Sequence, residues 1–582
     1  MRYIPIGLAL LGALSACIDA APLRRTNPIV DLGSEDQVHI QGTSAHGVES
    51  FLNIRFGQST AGRNRFAAPK PFEYPAGTLV NATSAGAACP QQRDPGFILF
   101  DNVTTVSEDC LTLRVDRPAH TNSTAKLPVM VWIYGGGDSI GQIYDGAYNP
   151  SGLVVTAAQK GTPVIYVAMN YRVGVFGFAA SPALNETNDL NAGLLDQRLA
   201  LRWVQKHIAA FGGDPENVTI FGESDGGTGV GLQVTAYGGH DAAVPFKKAI
   251  MQSGAPTADT GFANGITLNH TAELIKLAGC NASTSAAELI CLRQMPLAKL
   301  LPLAVKYEAS VSSNTFDVFV PVAPSSFIPD SPSRLLASGR FARNIDMIAG
   351  WTENDASFFT DPYVSASNAT EVAAAIFPYA GTTDKALAAE IADATKAALE
   401  LYPLSSFPSE DGETSYYYRA SRMSRDSGFV CPALHVISMN HKHFGSCTSN
   451  YLYALNQTAV AQALAEYGAS FYQVPHFSDV PYVFNQIKTR FAAVTNRTID
   501  ATLGSEMSTS WASFAASGKP SLVRGSLPGW SPAVNSNGDL SVQVIGGPSS
   551  GPRSITSKAS FEHLLERCAF WNSDKIQALL GT

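Results

Sequence analysis

Charge is scarce in this chain and nowhere concentrated. Only 15% of the 582 residues are charged, the formal net charge is −8, and no basic cluster appears. Nucleic-acid binding draws on clustered Lys and Arg that displace counterions from phosphates, so no such partner is expected. The eight cysteines are spread thinly and contain no CxxC pair, which argues against a zinc site. No internal repeat and no low-complexity linker breaks the sequence. Beyond the N-terminal segment nothing is long and apolar enough to span a bilayer, which takes about 20 residues. The C-terminal end lacks the hydrophobic tail of a lipid-anchor signal.

What remains is apolar. Hydrophobic residues make up 45% of the chain, enough for a large core. Length alone suggests about three or four domains, a weak prior because large α/β enzymes often run as one domain with insertions. The N-terminus carries Arg2 and then an almost unbroken apolar run over residues 4–16. That run is short for a membrane span and fits a secretory signal peptide over residues 1–20, cleaved near Ala20 or Ala21. A membrane anchor is one alternative. Lipidation at Cys17 is another, since Leu14-Ser15-Ala16-Cys17 looks like a bacterial lipoprotein box. Arg24-Arg25 reads as a dibasic processing site or simply as a solvated pair.

Ten N-x-S/T sequons, at Asn81, Asn102, Asn122, Asn185, Asn217, Asn269, Asn281, Asn368, Asn456 and Asn496, argue against the lipoprotein reading and for a secreted, extracellular glycoprotein. Several arise by chance in a chain rich in Asn, Ser and Thr, and Asn217 is expected at a strand entrance, poorly accessible. In an oxidising compartment disulfides are the default. Cys89 with Cys110 and Cys280 with Cys291 are close in sequence and would staple two loops. Cys431 has two candidate partners, Cys447 and Cys568, so one thiol is left over.

Apolar runs alternate with helical patterns through the middle of the chain. Residues 127–134 (LPVMVWIY) and 163–169 (PVIYVAM) read as buried strands, 218–221 as a short strand, and 247–251 as the start of another. Residues 191–211 place Leu194, Leu195, Leu199, Leu201, Trp203, Val204 and Ile208 largely on one helical face. Such alternation implies a parallel sheet covered by helices. The spans 257–345 and 360–450 carry longer helical patterns and are expected to cap the sheet and shape a cleft.

Gly222-Glu223-Ser224-Asp225-Gly226 fits G-x-S-x-G. A strand precedes it and a small-residue stretch that can open a helix follows, which is the setting of a nucleophile elbow. A Gly-Ser turn is the plainer alternative. Gly135-Gly136-Gly137 directly follows the strand at 127–134. Backbone N–H groups of Gly136, Gly137 and Asp225 would stabilise the negative oxygen that acyl transfer creates; a flexible glycine turn is the alternative there.

With these motifs in order the chain resembles the type-B carboxylesterase/lipase family, which includes cholinesterases and fungal lipases. The matching segments are Glu108-Asp109-Cys110-Leu111, residues 131–137 (VWIYGGG), 170–177 (NYRVGVFG), the long block 191–227, Gln252-Ser253-Gly254, and Cys568-Ala569-Phe570-Trp571-Asn572. The resemblance covers nearly the whole mature chain. It implies an α/β-hydrolase fold: a mostly parallel central sheet flanked by helices, in one catalytic domain over 21–582 with helical cap insertions.

A serine hydroxyl needs a base, and the base needs a carboxylate to orient it. His476 lies in Val474-Pro475-His476-Phe477-Ser478-Asp479, similar to the family's histidine loop. Residues 350–359 (GWTENDASFF) resemble its acid loop and put Asp355 at the acid position, with Glu353 as the rival. The family usually has Glu followed by Gly there; this chain has Asp355 and Ala356. By resemblance Glu223 and Ser253 support the site from behind, Ser253 through a hydrogen bond to the acid. Two departures stand out: Asp225 where the family usually has Ala, and Asp138 where it often has an aromatic residue. The implied function is ester hydrolysis of a small-molecule substrate, with neither metal nor cofactor. The apolar run Gly96-Phe97-Ile98-Leu99-Phe100, between Cys89 and Cys110, would form a flap shorter than in well-lidded lipases, which favours soluble esters. A triacylglycerol lipase or sterol esterase is the alternative within the family, and a catalytically inactive binding protein the alternative outside enzymes.

Overall fold

Long apolar runs with few polar interruptions can be buried on both faces only in a parallel sheet covered by helices. The computed structural model places such runs side by side. It describes residues 27–582 except 34–36, 95–99, 242, 259–264, 312–317, 362–367, 378–379, 493–494, 496–497 and 557–560. The expected signal segment, Cys17, Asn496 and the part of the flap at 96–99 therefore lie outside the described residues.

The main sheet has eleven strands: β1 (Thr43–Ala45), β2 (Val48–Arg55), β3 (Thr112–Pro118), β4 (Leu127–Ile133), β5 (Ile165–Met169), β6 (Gly213–Glu223), β7 (Lys248–Gln252), β8 (Asp346–Thr352), β9 (Asn450–Leu455), β10 (Ser541–Ile545) and β11 (Gly551–Ser554). Their spatial order is β11-β10-β9-β8-β7-β6-β4-β5-β3-β2-β1. The seven strands from β10 to β5 run parallel; β11 at one edge and β3, β2, β1 at the other are antiparallel. β5 and β7 are buried along their whole length, as strands packed on both faces must be. A separate three-stranded sheet joins Ile29–Asp31, His39–Gln41 and Leu79–Asn81.

The helix expected over 191–211 is α1 (Ala192–His207), tightening to a 3₁₀ turn over Ile208–Phe211. Gly212, at φ 87°, ends it, a conformation that glycine adopts without steric cost. Helices fill both proposed cap spans, among them Leu297–Val311 in the first and Lys385–Leu401 in the second. The first span builds its own apolar cluster: Leu274, Leu300 and Phe327 pack with Phe176 and Leu194, separately from the large core around the sheet.

The structure joins Cys89 to Cys110, Cys280 to Cys291 and Cys431 to Cys568, and leaves Cys447 free and exposed. Seven of the sequon asparagines, including Asn81 and Asn269, are exposed, whereas Asn456 and Asn217 are half-buried. Asn217 lies inside β6 and accepts a hydrogen bond from Lys248. Among the described residues no helix is long and apolar enough to cross a membrane.

The Cys431–Cys568 bridge closes a loop of 137 residues, and a long closed loop removes much of the unfolded chain's freedom. Replacing both cysteines with alanine is expected to cost on the order of 2–4 kcal/mol. Thermal unfolding at one fixed scan rate checks this; an unchanged midpoint would count against it.

Candidate active site

Ser224 sits between the end of β6 and the start of α2 (Asp225–Thr235), at φ 60° and ψ −133°. A non-glycine residue with positive φ is strained, and such strain persists only where the surroundings enforce it. Here they do. The Ser224 N–H donates to the Gln252 carbonyl at 2.9 Å. A Cβ on Gly222 would fall 2.4 Å from the Gly226 carbonyl oxygen, and one on Gly226 only 2.1 Å from that of Ile133. The elbow is closed against β4 and β7 by bare backbone.

The glycine triplet leaves the end of β4 and runs beside the elbow. A Cβ on Gly135 would lie 2.6 Å from the Ser224 Cβ. Gly136, Gly137 and Asp138 then take positive φ angles of 120°, 60° and 50°. Among the described residues neither the Gly136 N–H nor the Asp225 N–H has an acceptor. The Gly137 N–H does: it donates to Oδ2 of the Asp225 side chain. Ser224 Oγ donates to the same oxygen at 3.2 Å.

His476 is buried, with Nδ1 at 2.6 Å from Asp355 Oδ1. The loops carrying the two residues are tied backbone to backbone, since the Asn354 N–H donates to the Val474 carbonyl at 3.0 Å. Asp355 Oδ2 accepts the Thr352 N–H at 2.9 Å. Three residues past His476, buried Asp479 accepts from Tyr453 at 2.6 Å and from the Gln252 amide at 3.0 Å. The Phe359 and Phe429 rings lie 5.0 and 5.1 Å from the imidazole. His476 Nε2 stands 3.1 Å from Glu223 Oε1, and among the described residues no hydrogen bond joins it to Ser224.

Burial works against an imidazolium here. The Glu223 and Asp355 carboxylates overcome that penalty and hold the pKa of His476 up to about 9. Burial in turn pushes the Glu223 carboxyl well above its usual range, against the attraction of His476.

The structure thus brings Ser224, Asp225, Glu223, His476, Asp355 and the glycine loop into one site. Glu353 turns elsewhere, to Arg422 at 3.1 Å. The expected bond from Ser253 to the acid is absent: among the described residues the buried Ser253 Oγ has no partner, and the Thr352 N–H donates to Asp355. Phe429 had no sequence signal, for it stands in no motif. Phe100, the described end of the flap run, packs edge-on against Phe477 at 5.1 Å. Among the described residues no cluster of three or more His, Cys, Asp or Glu is placed to hold a metal ion.

Comparison with known proteins shows the family and the fold. The carboxylesterase family matches residues 33–558. An inactive carboxylesterase-like protein of Byssochlamys spectabilis is 39% identical, over 84% of this chain and 84% of that one. A secreted lipase of Arthroderma benhamiae is 35% identical over 99% of both chains. The crystal structure of Aspergillus niger EstA superposes with a TM-score of 0.76 at 25% identity, covering 96% of this chain and 99% of that one. The fold is that of the α/β-hydrolases.

Gly226→Ala tests the elbow. Its methyl group meets backbone rather than a movable side chain, so we expect destabilisation of about 1–3 kcal/mol or more. A wild-type unfolding midpoint for this variant would show that the turn has room to spare.

Proposed function

The chain belongs to the carboxylesterase family and is a carboxylic ester hydrolase; we propose that it works by two-step acyl transfer through Ser224, His476 and Asp355. The observation that carries this reading is the 2.6 Å bond between His476 and Asp355, made beside a strained serine at a strand–helix turn. In the first step Ser224 Oγ attacks the ester carbonyl and passes its proton to His476 Nε2. The carbonyl oxygen becomes an oxyanion facing the N–H groups of Gly136, Gly137 and Asp225. When the C–O bond breaks, the imidazolium gives that proton to the leaving alcohol. Water then attacks the acyl-enzyme, losing a proton to His476, and the carboxylic acid departs as Ser224 is restored. No metal and no cofactor takes part.

Phe359 and Phe429 flank the base and suit an apolar part of the substrate. Phe429 comes from the span 360–450, which supports the reading of that span as a cap shaping the cleft. The three disulfides, the exposed sequons and the relative named a secreted lipase support an extracellular protein. That name also supports the lipase alternative, while the short flap run favours soluble esters. Hydrolysis of short-chain esters without interfacial activation fits the soluble reading; preference for emulsified triglyceride fits the lipase.

Ser224→Ala is expected to abolish ester hydrolysis and covalent labelling by a fluorophosphonate; full activity in that variant would falsify the mechanism. Asp355→Asn leaves the imidazole poorly oriented and is expected to lower kcat by on the order of 10⁴.

The raised pKa of His476 gives the direction of the expected pH dependence. Only the neutral imidazole accepts a proton, so kcat/KM should fall as pH drops below about 9. Glu223 supplies the largest attraction holding the proton there. Glu223→Gln should therefore move the acid limb of the profile towards neutral pH, and an unmoved limb would remove Glu223 from this role.

A further inference from the structure

We infer that the Asp225 carboxylate is a cap built into the oxyanion hole, which the substrate must displace before Ser224 can react. This rests on the acyl-transfer reading above and adds a rate-determining side chain to it. An oxyanion hole is a set of N–H groups converging on the place where a negatively charged oxygen will sit. Asp225 Oδ2 is such an oxygen, supplied by the protein itself. It holds the Gly137 N–H and the Ser224 hydroxyl at once. Those are one donor and the nucleophile that a tetrahedral intermediate requires.

The contact differs from ordinary stabilisation of a helix start. An acidic residue in the first helical turn favours the positive end of the helix dipole. The two hydrogen bonds described for Asp225 run instead to the glycine loop and to the preceding serine. Its own N–H, which has no acceptor among the described residues, does not depend on the side chain. A carboxylate only accepts hydrogen bonds, so the serine proton points at Asp225 and is withheld from His476. The charged neighbours act on the cap in both directions. A protonated His476 attracts it, while Glu223 on the same elbow, where ionised, repels it. Asp138 of the glycine loop and Asp225 both act on the buried Tyr171 phenol. Asp355 and Asp479, from the acid and histidine loops, add to the negative field around Glu223 and His476.

Removing the cap keeps every backbone donor and the whole triad. Asp225→Ala is therefore expected to gain activity. Loss of one charge-assisted hydrogen bond in the resting state corresponds to roughly a 10- to 100-fold acceleration. Asp225→Asn, which keeps the shape without the charge, should fall between the two.

The experiment compares wild type, Asp225→Ala and Asp225→Asn, each also with Ser224→Ala. It measures kcat and KM on p-nitrophenyl butyrate, and the second-order rate of labelling by a small neutral fluorophosphonate. The expected result is faster labelling and higher kcat/KM in both single variants, all of it lost with Ser224→Ala. Labelling of Ser224 at equal or lower rates in Asp225→Ala overturns the cap and leaves the serine mechanism standing. Absence of labelling in every folded variant overturns both. A crystal structure of the labelled wild-type enzyme gives an independent reading. The phosphonyl oxygen should replace Asp225 on the Gly137 N–H, and an adduct in which Asp225 keeps that bond overturns the cap without any variant.

Discussion

A single carbonyl group, that of Gln252 at the end of β7, holds the reactive part of the molecule in register. It accepts the Ser224 N–H and so fixes a backbone turn that is strained by about 1–3 kcal/mol. The side chain of the same residue fixes the other half of the site. Its amide donates to Asp479 in the histidine loop and accepts from the Trp511 indole at 2.9 Å. Ser224 and the loop of His476 therefore refer to one strand end. The close packing that this needs is bought with missing side chains: Gly222, Gly226 and Gly254 each leave no room for a Cβ, and on Gly254 one would lie 2.2 Å from the Ser224 carbonyl.

The acid loop shows how neighbouring carboxylates acquire different tasks. Glu353 and Asp355 are two residues apart at the end of β8. Asp355 turns inward to His476 and is fully buried. Glu353 turns to Arg422, which also binds Glu562 at 2.6 Å, and Arg425 lies against both acids. Two arginines of one helix, Ser415–Arg425, thus hold Glu353 away from His476. Asp355 is left as the carboxylate within hydrogen-bond reach of Nδ1.

Features set by local chain chemistry were legible in the sequence. The buried strands announce themselves as apolar runs, and the elbow and glycine loop as small residues in a strand–turn–helix setting. The family resemblance placed Asp355 and His476, which composition alone could not have joined across 120 residues. What stayed illegible depends on who meets whom in space. The choice of Cys568 over Cys447 for Cys431, the empty hydrogen-bonding position of Ser253, and the placement of Phe429 beside the imidazole are of this kind. Asp225 is the sharpest case. Its backbone N–H was expected at the oxyanion hole, whereas the direction of its side chain, back onto the Gly137 N–H, is set by a loop about ninety residues earlier in the chain.

That direction bears on how the site distributes its stabilising power. Acyl transfer moves through a state with an imidazolium at the base and a negative oxygen in the hole. Two features of the resting site resemble that state: Glu223 and Asp355 hold the pKa of His476 up to about 9, and Asp225 sets a carboxylate oxygen on the Gly137 N–H. Interactions accelerate a reaction only when they are stronger in the transition state than in the ground state. Here one donor that could be reserved for the intermediate, the Gly137 N–H, is satisfied before substrate arrives, while among the described residues the Gly136 and Asp225 N–H groups have no acceptor. With Asp225 as a cap, the incoming oxyanion exchanges with a carboxylate at that one donor, and the negative charge facing the Gly137 N–H is nearly the same before and after. A site with every part of the machinery in place can on this account be a slow esterase. Its rate then rests on how readily one side chain rotates out, a property that the triad and the glycine loop do not determine.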